Sequence, residues 1–466
     1  MESQDLYFTN ALDFFDEFQW IFKYPVTQIL IKESLNSIPN DWLKALRKLN
    51  YNELNNFVLG KFTNPEWPSS FLSFIKRCKE LNTLLQTPKI SDLKPSPLPS
   101  NLRHGLTSKK QHEVSHLVNF IHEKCKAEKI HTIVDFGSGL GYICQALNYL
   151  YGYRVVGLES NREIYNNACA RQLELFPDSC NDVIYLHCQV NFENFEKNIQ
   201  LLKHHISNPD EKICMIGLHS CGDLAIASVF AFASIQQSKL LIMMSCCYHK
   251  LEMIENKMKY FGISSSFLHA MKKHNLKMNL NSTTDERNEI MDIFNRPFMR
   301  LACQESAKRW EEMSDHDHQQ HAFCVLSRAV LELFAHENDV TLKKTVKKAT
   351  RKSQCVNFDT YLTDTLQRYT FNDKNASNDE ELIDKLRKKW DENKEKLGDI
   401  EIFTALQVLL QGPAESFVLE DRRSLLNESS INKDDRTKKK INAVIVPIFD
   451  PAISPRCQAI VARVED

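Results

Sequence analysis

The 466-residue sequence lacks a strong charge of either sign. Its 59 Lys and Arg residues face 60 Asp and Glu residues, a formal net charge of −1. No global field therefore draws it to nucleic acid or to a membrane surface, and any basic surface has to be local. No run approaches the ~20 consecutive apolar residues that span a bilayer. The opening stretch, MESQDLYFTN, has none of the basic-then-apolar order of a secretory leader. The 14 cysteines are scattered without C-x2-4-C spacing, which sets aside ordinary zinc modules. Without a leader they read as reduced thiols rather than as a disulfide framework. These absences predict a soluble protein of cytoplasm or nucleus with no membrane partner. At this length one ordinary core does not suffice, so a large α/β domain with additions is expected.

The most informative stretch that is present is Val134-Asp135-Phe136-Gly137-Ser138-Gly139-Leu140-Gly141. It follows an apolar run, His131–Val134, and precedes a helix-compatible stretch, Tyr142–Leu150. A second apolar run, Val155–Leu158, ends in Glu159. Strand, glycine turn, helix, strand and carboxylate in that order are the elements of a Rossmann-type unit that holds an adenosine-containing cofactor. Tyr142 stands where a dinucleotide fingerprint wants its third glycine. The resulting G-x-G-x-G favours S-adenosylmethionine, which has no pyrophosphate to cradle, over NAD or FAD. Asp135, Gly137, Gly139, Gly141 and Glu159 are the cofactor candidates. Glu159 is suited to accept hydrogen bonds from both ribose hydroxyls.

The rest of the chain supports this frame. Residues 1–86 read as a helical domain, with Trp42, Leu43, Leu46 and Leu49 at helical spacing. Prolines at 88, 95, 97 and 99 mark a linker over 87–107. A core over 108–335 starts with a helix near Ser108 and continues with strand-like runs at Val183–Leu186, Ile213–Leu218 and Leu240–Met244. That cadence predicts a parallel sheet with helices on both faces. A charged insertion is expected over 336–400. Over 401–466 the runs Val444–Phe449 and Cys457–Val464 flank a turn-rich stretch and predict an antiparallel hairpin that completes the sheet. The fold class expected is therefore α/β, the Rossmann-like sheet of a class I methyltransferase, mostly parallel with a C-terminal antiparallel hairpin, plus an N-terminal helical domain.

In such a sheet ligands sit beyond the carboxyl ends of the strands. After the fourth strand comes Gly217-Leu218-His219-Ser220-Cys221-Gly222-Asp223-Leu224, and after the fifth Ser245-Cys246-Cys247-Tyr248-His249-Lys250. Methyl transfer needs alignment and, for a weak nucleophile, a proton acceptor. His219, Asp223, Tyr248 and His249 are the candidates, against the alternative that they cap strands and bind backbone. Cys221, Cys246, Cys247 and His249 invite a zinc reading, but adjacent cysteines are awkward for tetrahedral ligation, so no metal is expected. A catalytic thiolate and plain buried thiols are the other readings. The tract Asp315-His316-Asp317-His318-Gln319-Gln320-His321 reads as a helix start or turn rather than a metal site. The run Lys343–Lys352 reads as a solvated basic face, with phosphate contacts as its functional alternative.

Several of these segments together resemble the methyltransferase-like 25 family, including its branch named as ribosomal RNA adenine dimethylase domain-containing. The matching stretches are Ser108-Lys109-Lys110-Gln111-His112-Glu113-Val114, the glycine loop, Gly217–Leu224, Ser245–Leu251, and Phe449-Asp450-Pro451 through Ser454-Pro455-Arg456. The resemblance implies a fold that uses S-adenosylmethionine. Lys109 or Lys110, on the helix over the cofactor mouth, is expected near the cofactor carboxylate or a substrate phosphate, and His219 is a candidate for cofactor contact as well as for catalysis. The His-x-Cys-Gly and Cys-Cys-Tyr-His elements are also similar to those of a transfer-RNA 2′-O-methyltransferase family, whose N-terminal zinc modules this chain lacks. The acceptor expected is RNA or protein. The alternative is an inactive module of the same fold that binds RNA or a protein partner.

Overall fold

The structure is a computed structural model that describes residues 2–87, 95, 97–206, 208, 210–254, 257–281, 290–346, 350–375, 379–428 and 439–465. Residues 88–94 and 96 of the proline-rich linker and residues 347–349 of the basic run lie outside these residues.

A seven-stranded sheet organises the first unit. Its strands are β1 (Thr132–Phe136), β2 (Arg154–Glu159), β3 (Val183–His187), β4 (Ile213–Leu218), β5 (Ser238–Met244), β6 (Ile441–Pro447) and β7 (Gln458–Val464), and they stand in the order β6-β7-β5-β4-β1-β2-β3. Neighbours among β1 to β5 pair in parallel. β7 runs antiparallel between β5 and β6. This is the class I methyltransferase sheet, a Rossmann half-turned by an inserted reverse strand. The central strands carry Ile133, Val134, Val155, Val156, Cys214, Met215, Ile216, Leu241 and Ile242, all at 0% exposure. Burial on both faces is why they read as continuous apolar runs rather than as alternation.

The helix Ser108–Glu128 covers one face. Thr107 caps it by accepting the Lys110 N–H, and Lys129 ends it in the left-handed region at φ +55°. Val114, Leu117, Val118, Ile121 and Cys125 form its buried stripe at helical spacing. Glu113 belongs to that buried face too, and what it does there decides the site.

The chain forms two compact units that cut it differently from the expected domains. One comprises residues 1–13, 81–304 and 413–466, the other residues 14–80 and 305–412. The N-terminal helical region and the charged stretch are thus largely one body, for a reason visible in their side chains. In the second unit Trp42 packs on Phe71 and Phe74 at 4.7 and 5.1 Å. His318, fully buried, is held between Glu401 (2.6 Å) and Asn55 (2.8 Å) and stacks on Tyr51. The charged stretch also buries Phe358, Tyr361 and Leu362, so it has a core to share. The histidine tract is indeed a helix start, capped by Ser314 and Asp317, but His318 and His321 both bind Glu401 rather than solvent.

Helix Leu397–Asn427 has an apolar stretch long enough to cross a membrane, which no unbroken run in the sequence suggested. That stretch is 83% buried inside the fold, and the helix also buries Glu401, Glu415, Asp421 and Arg422. Asp421 accepts the backbone N–H groups of Gly262 and Ser264 at 2.8 and 3.0 Å. It is a core helix.

Gly141 initiates helix Tyr142–Tyr151 at φ +74°, and a Cβ there would overlap the Tyr185 hydroxyl. Gly141→Ala should therefore destabilise the protein by about 2 kcal/mol or more, read by chemical denaturation. A loss below about 0.5 kcal/mol, the range of an ordinary surface change, would contradict this packing.

Candidate active site

A cleft of about 810 Å³ opens where β1, β2 and β4 end, lined among others by Gly137, Glu159, His219, Cys221, Asp223 and Lys250. β1 and β4 are neighbours whose connections leave in opposite directions, the switch point at which such sheets bind ligands.

The side of the cleft beyond β1 and β2 is built by backbone. Glu159 leaves the end of β2 and its Oε2 accepts the Gly139 N–H at 3.1 Å, while Oε1 accepts the Asn161 N–H at 2.7 Å. The carboxylate is thereby fixed at the rim of the glycine loop, with lone pairs left for hydroxyl donors. Asp135 is placed elsewhere. It is 3% exposed and accepts the Cys144 thiol at 3.3 Å. Burial, with a smaller contribution from Glu159, pushes its carboxyl up to about 7. Its side chain faces into the domain and does not line the cleft, where a cofactor contact was expected. Gly141 acts as the helix-initiating glycine described above.

The side of the cleft beyond β4 is built around a buried carboxylate. Glu113, 1% exposed, has its Oε2 3.1 Å from His219 Nε2 and 3.1 Å from Lys110 Nζ, while Oε1 accepts the Ser454 hydroxyl at 2.8 Å. Burial alone raises a carboxyl, but the His219 hydrogen bond, the His219 and Lys110 charges and the Ser454 hydroxyl outweigh it and hold Glu113 at about 2. His219 itself adopts φ +61°, a conformation few non-glycine residues take and one that clusters at functional sites. Its loop is pinned by the Ser220 N–H on Met244 carbonyl and the Ser220 hydroxyl on Phe136 carbonyl. Asp223 starts helix Asp223–Ser234, lines the cleft and accepts the Glu252 N–H at 3.1 Å. Burial raises its carboxyl, helped by the charge of Glu252 and opposed by that hydrogen bond.

Three other expected contacts are not cleft residues. Tyr248 is 1% exposed, donates to Glu415 Oε1 at 3.1 Å and lies under the Arg422 guanidinium. It is a buried structural tyrosine, and burial beside Glu415 pushes its hydroxyl further from ionisation. His249 turns to Cys303, with Nδ1 3.1 Å from Sγ. Burial, then the charges of Arg300, Lys250 and Arg296, lower its pKa. Lys109 is half-exposed and 3.9 Å from Glu113, and it does not line the cleft. For Tyr248 and His249, packing partners from other segments take the side chain away from the cleft.

The structure also adds residues that sequence reasoning passed over. Cys188, Asn191, Phe192 and Glu193 follow β3, and Glu252, Lys259 and Tyr260 follow the 245–251 segment; all line the cleft. Phe192 stacks on Tyr260 at 4.3 Å, and Lys259 pairs with Glu252 at 2.7 Å. The rule that ligands sit beyond strand ends applies to β3 as well, so the 188–193 stretch was within reach. Cys221, Cys246 and Cys247 converge to within 4.8 Å. Hydrogen bonding from Cys246 lowers the Cys221 thiol to about 6 against the opposing effect of burial.

Residues 109–253, which run from the Glu113 helix through both loops of this cleft, match the family model described as Methyltransferase domain. The chain is 27% identical over 260 residues to the Mus musculus protein named Probable methyltransferase-like protein 25. It is 26% identical over 265 residues to the Homo sapiens protein of that name. These alignments take in 56% of this chain and 38% of each relative, so the chain matches well under half the length of those proteins. The methyltransferase-like 25 resemblance read from the motifs thus holds over this part of the chain. Among solved structures, coclaurine N-methyltransferase bound to N-methylheliamine and SAH aligns over 94% of this chain at 10% identity and a TM-score of 0.25. That alignment is too loose to bear on the fold, which stands on the strand order of the sheet itself.

Glu113 makes a prediction in acid. A carboxyl held low in the folded state contributes stability that is complete above its ordinary value of 4.5 and is lost as pH falls toward about 2. Over that window the unfolding free energy of the wild type should fall more steeply than that of Glu113→Gln. Parallel curves would show that Glu113 does not hold the domain together.

Proposed function

We propose that this chain is an S-adenosylmethionine-dependent methyltransferase acting on RNA or protein. The observation that carries the reading is the Glu159 carboxylate at the carboxyl end of β2, tied to the Gly139 amide at 3.1 Å on the rim of the cleft. It stands where a ribose would be gripped, beside a loop whose backbone a ligand can approach closely. The match of residues 109–253 to a methyltransferase domain supports the same reading.

S-adenosylmethionine, when bound, supplies a methyl group already activated on a sulfonium centre. The chain's own residues have simpler tasks. Glu159 accepts from ribose hydroxyls, and the 137–141 loop gives close backbone approach. His219, held by Glu113, and Asp223 face the cleft from the β4 side and are positioned to align an acceptor and to take its proton. The Phe192 and Tyr260 rings offer a planar ring or a cation an aromatic face. A second reading, a module that binds RNA or a protein partner without turnover, draws on Tyr248 and His249. Both are committed to structural bonds, which leaves His219 and Asp223 as the proton acceptors among the four expected.

Calorimetry on the full chain should show S-adenosylmethionine binding that Gly139→Arg abolishes. Glu159→Ala should weaken it about tenfold or more, the loss of a charge-assisted hydrogen bond. His219→Ala should lower methyl incorporation by roughly 10²-fold, the lower range for a general base. The acceptor class is read from radiolabelled methyl transfer into lysate of cells lacking the protein, partitioned between RNA and protein. Absence of cofactor binding by folded protein overturns the proposal. Binding without transfer into any fraction favours the second reading.

A further inference from the structure

Three thiols meet where β4 and β5 release the chain. The strands run in parallel register with Leu218 beside Met244, so the loops carrying Cys221 and Cys246-Cys247 leave the sheet side by side. Gly222 lets them close. At φ +58° and ψ −134° it takes a conformation suited only to glycine, and a Cβ there would lie 2.6 Å from the Lys250 carbonyl oxygen. The Sγ of Cys221 is 3.1 Å from that of Cys246, which is 3.4 Å from that of Cys247.

Adjacent cysteines point to opposite faces only while the chain is a strand. β5 ends at Met244, and Cys247 has φ −123° and ψ 70°, so here both sulfurs reach the same side. The adjacency that argues against a metal in the sequence is therefore no obstacle in the fold. None of the three is fully buried, and Cys221 lines the cleft.

We propose that Cys221, Cys246 and Cys247 together bind one thiophilic divalent ion of the zinc class, leaving its fourth position open to the cleft. Tetrahedral ligation at ~2.3 Å sets sulfurs about 3.8 Å apart, so the trio opens by about half an ångström. Binding forms three metal–sulfur bonds and releases the thiol protons that remain on the three sulfurs. The resulting centre carries one net negative charge, with the Lys250 ammonium beside Cys221 to offset it. Three protein ligands with an open position are the arrangement of a reactive rather than a structural zinc. The open position takes water or a soft donor atom of the acceptor, which the ion polarises and orients. The metal site does not depend on the methyl-transfer reading.

The test uses the full chain purified with reductant under argon. Zinc content after dialysis should approach one equivalent, and Co2+ titration should give a thiolate-to-metal charge-transfer band. Cys221→Ser and Cys247→Ser should each weaken binding by on the order of a hundredfold, at or beyond what outer-shell partners carry. Cys303→Ser, whose sulfur rests on His249, should leave it unchanged. Circular dichroism confirms that each variant is folded. Overturning results are a folded, fully reduced wild type that takes neither ion, or metal binding that survives Cys221→Ala/Cys247→Ala. A Cys221–Cys246 disulfide whose reduction restores no metal binding also overturns it.

Discussion

Glu113 is the group on which the rest of the site depends. A carboxylate at 1% exposure is tolerable only if every part of it is paired. Its partners are Lys110 on its own helix and, from two distant stretches, His219 beyond β4 and Ser454 in the turn before β7. One buried charge thus ties the Ser108–Glu128 helix, the loop after β4 and the closing hairpin to a common point. Removing it would leave a cationic side chain and a hydroxyl without their acceptor, so the cost falls on geometry as well as on stability.

A second buried network, one layer deeper, holds the other loop. Glu415 accepts from Tyr248 and pairs with Arg456 at 2.6 Å, and Arg456 also donates to the Ala302 carbonyl. The stretch from Asp450 to Arg456 therefore serves both networks, Ser454 toward Glu113 and Arg456 toward Glu415. Segments far apart in the chain thus meet in the folded protein around two carboxylates.

That explains what the sequence could and could not reveal. The strands, the glycine turn, Glu159 and the hairpin were legible because each is a local pattern of apolar runs, turn residues and spacing. The direction of a side chain leaving a loop is set by neighbours brought in from elsewhere. Tyr248 and His249 sit beside the cleft in sequence and face away from it, toward Glu415 and Cys303. Asp135 lies in the strand that precedes the glycines and faces inward. Glu113 was hidden for the opposite reason, a charged residue on a helix whose burial only the tertiary partners reveal. The charged 336–400 stretch likewise reads as an insertion until its buried Phe358, Tyr361 and Leu362 are seen.

The central claim is that the cleft beyond β1, β2 and β4 holds S-adenosylmethionine with Glu159 and the glycine loop on its donor side. Photolabelling the full chain with methyl-tritiated S-adenosylmethionine, followed by mapping of the labelled peptide, tests it most directly. The account predicts label, competed by S-adenosylhomocysteine, in peptides that contain residues 137–164 or 188–193. Competed label confined to the unit formed by residues 14–80 and 305–412 would contradict it.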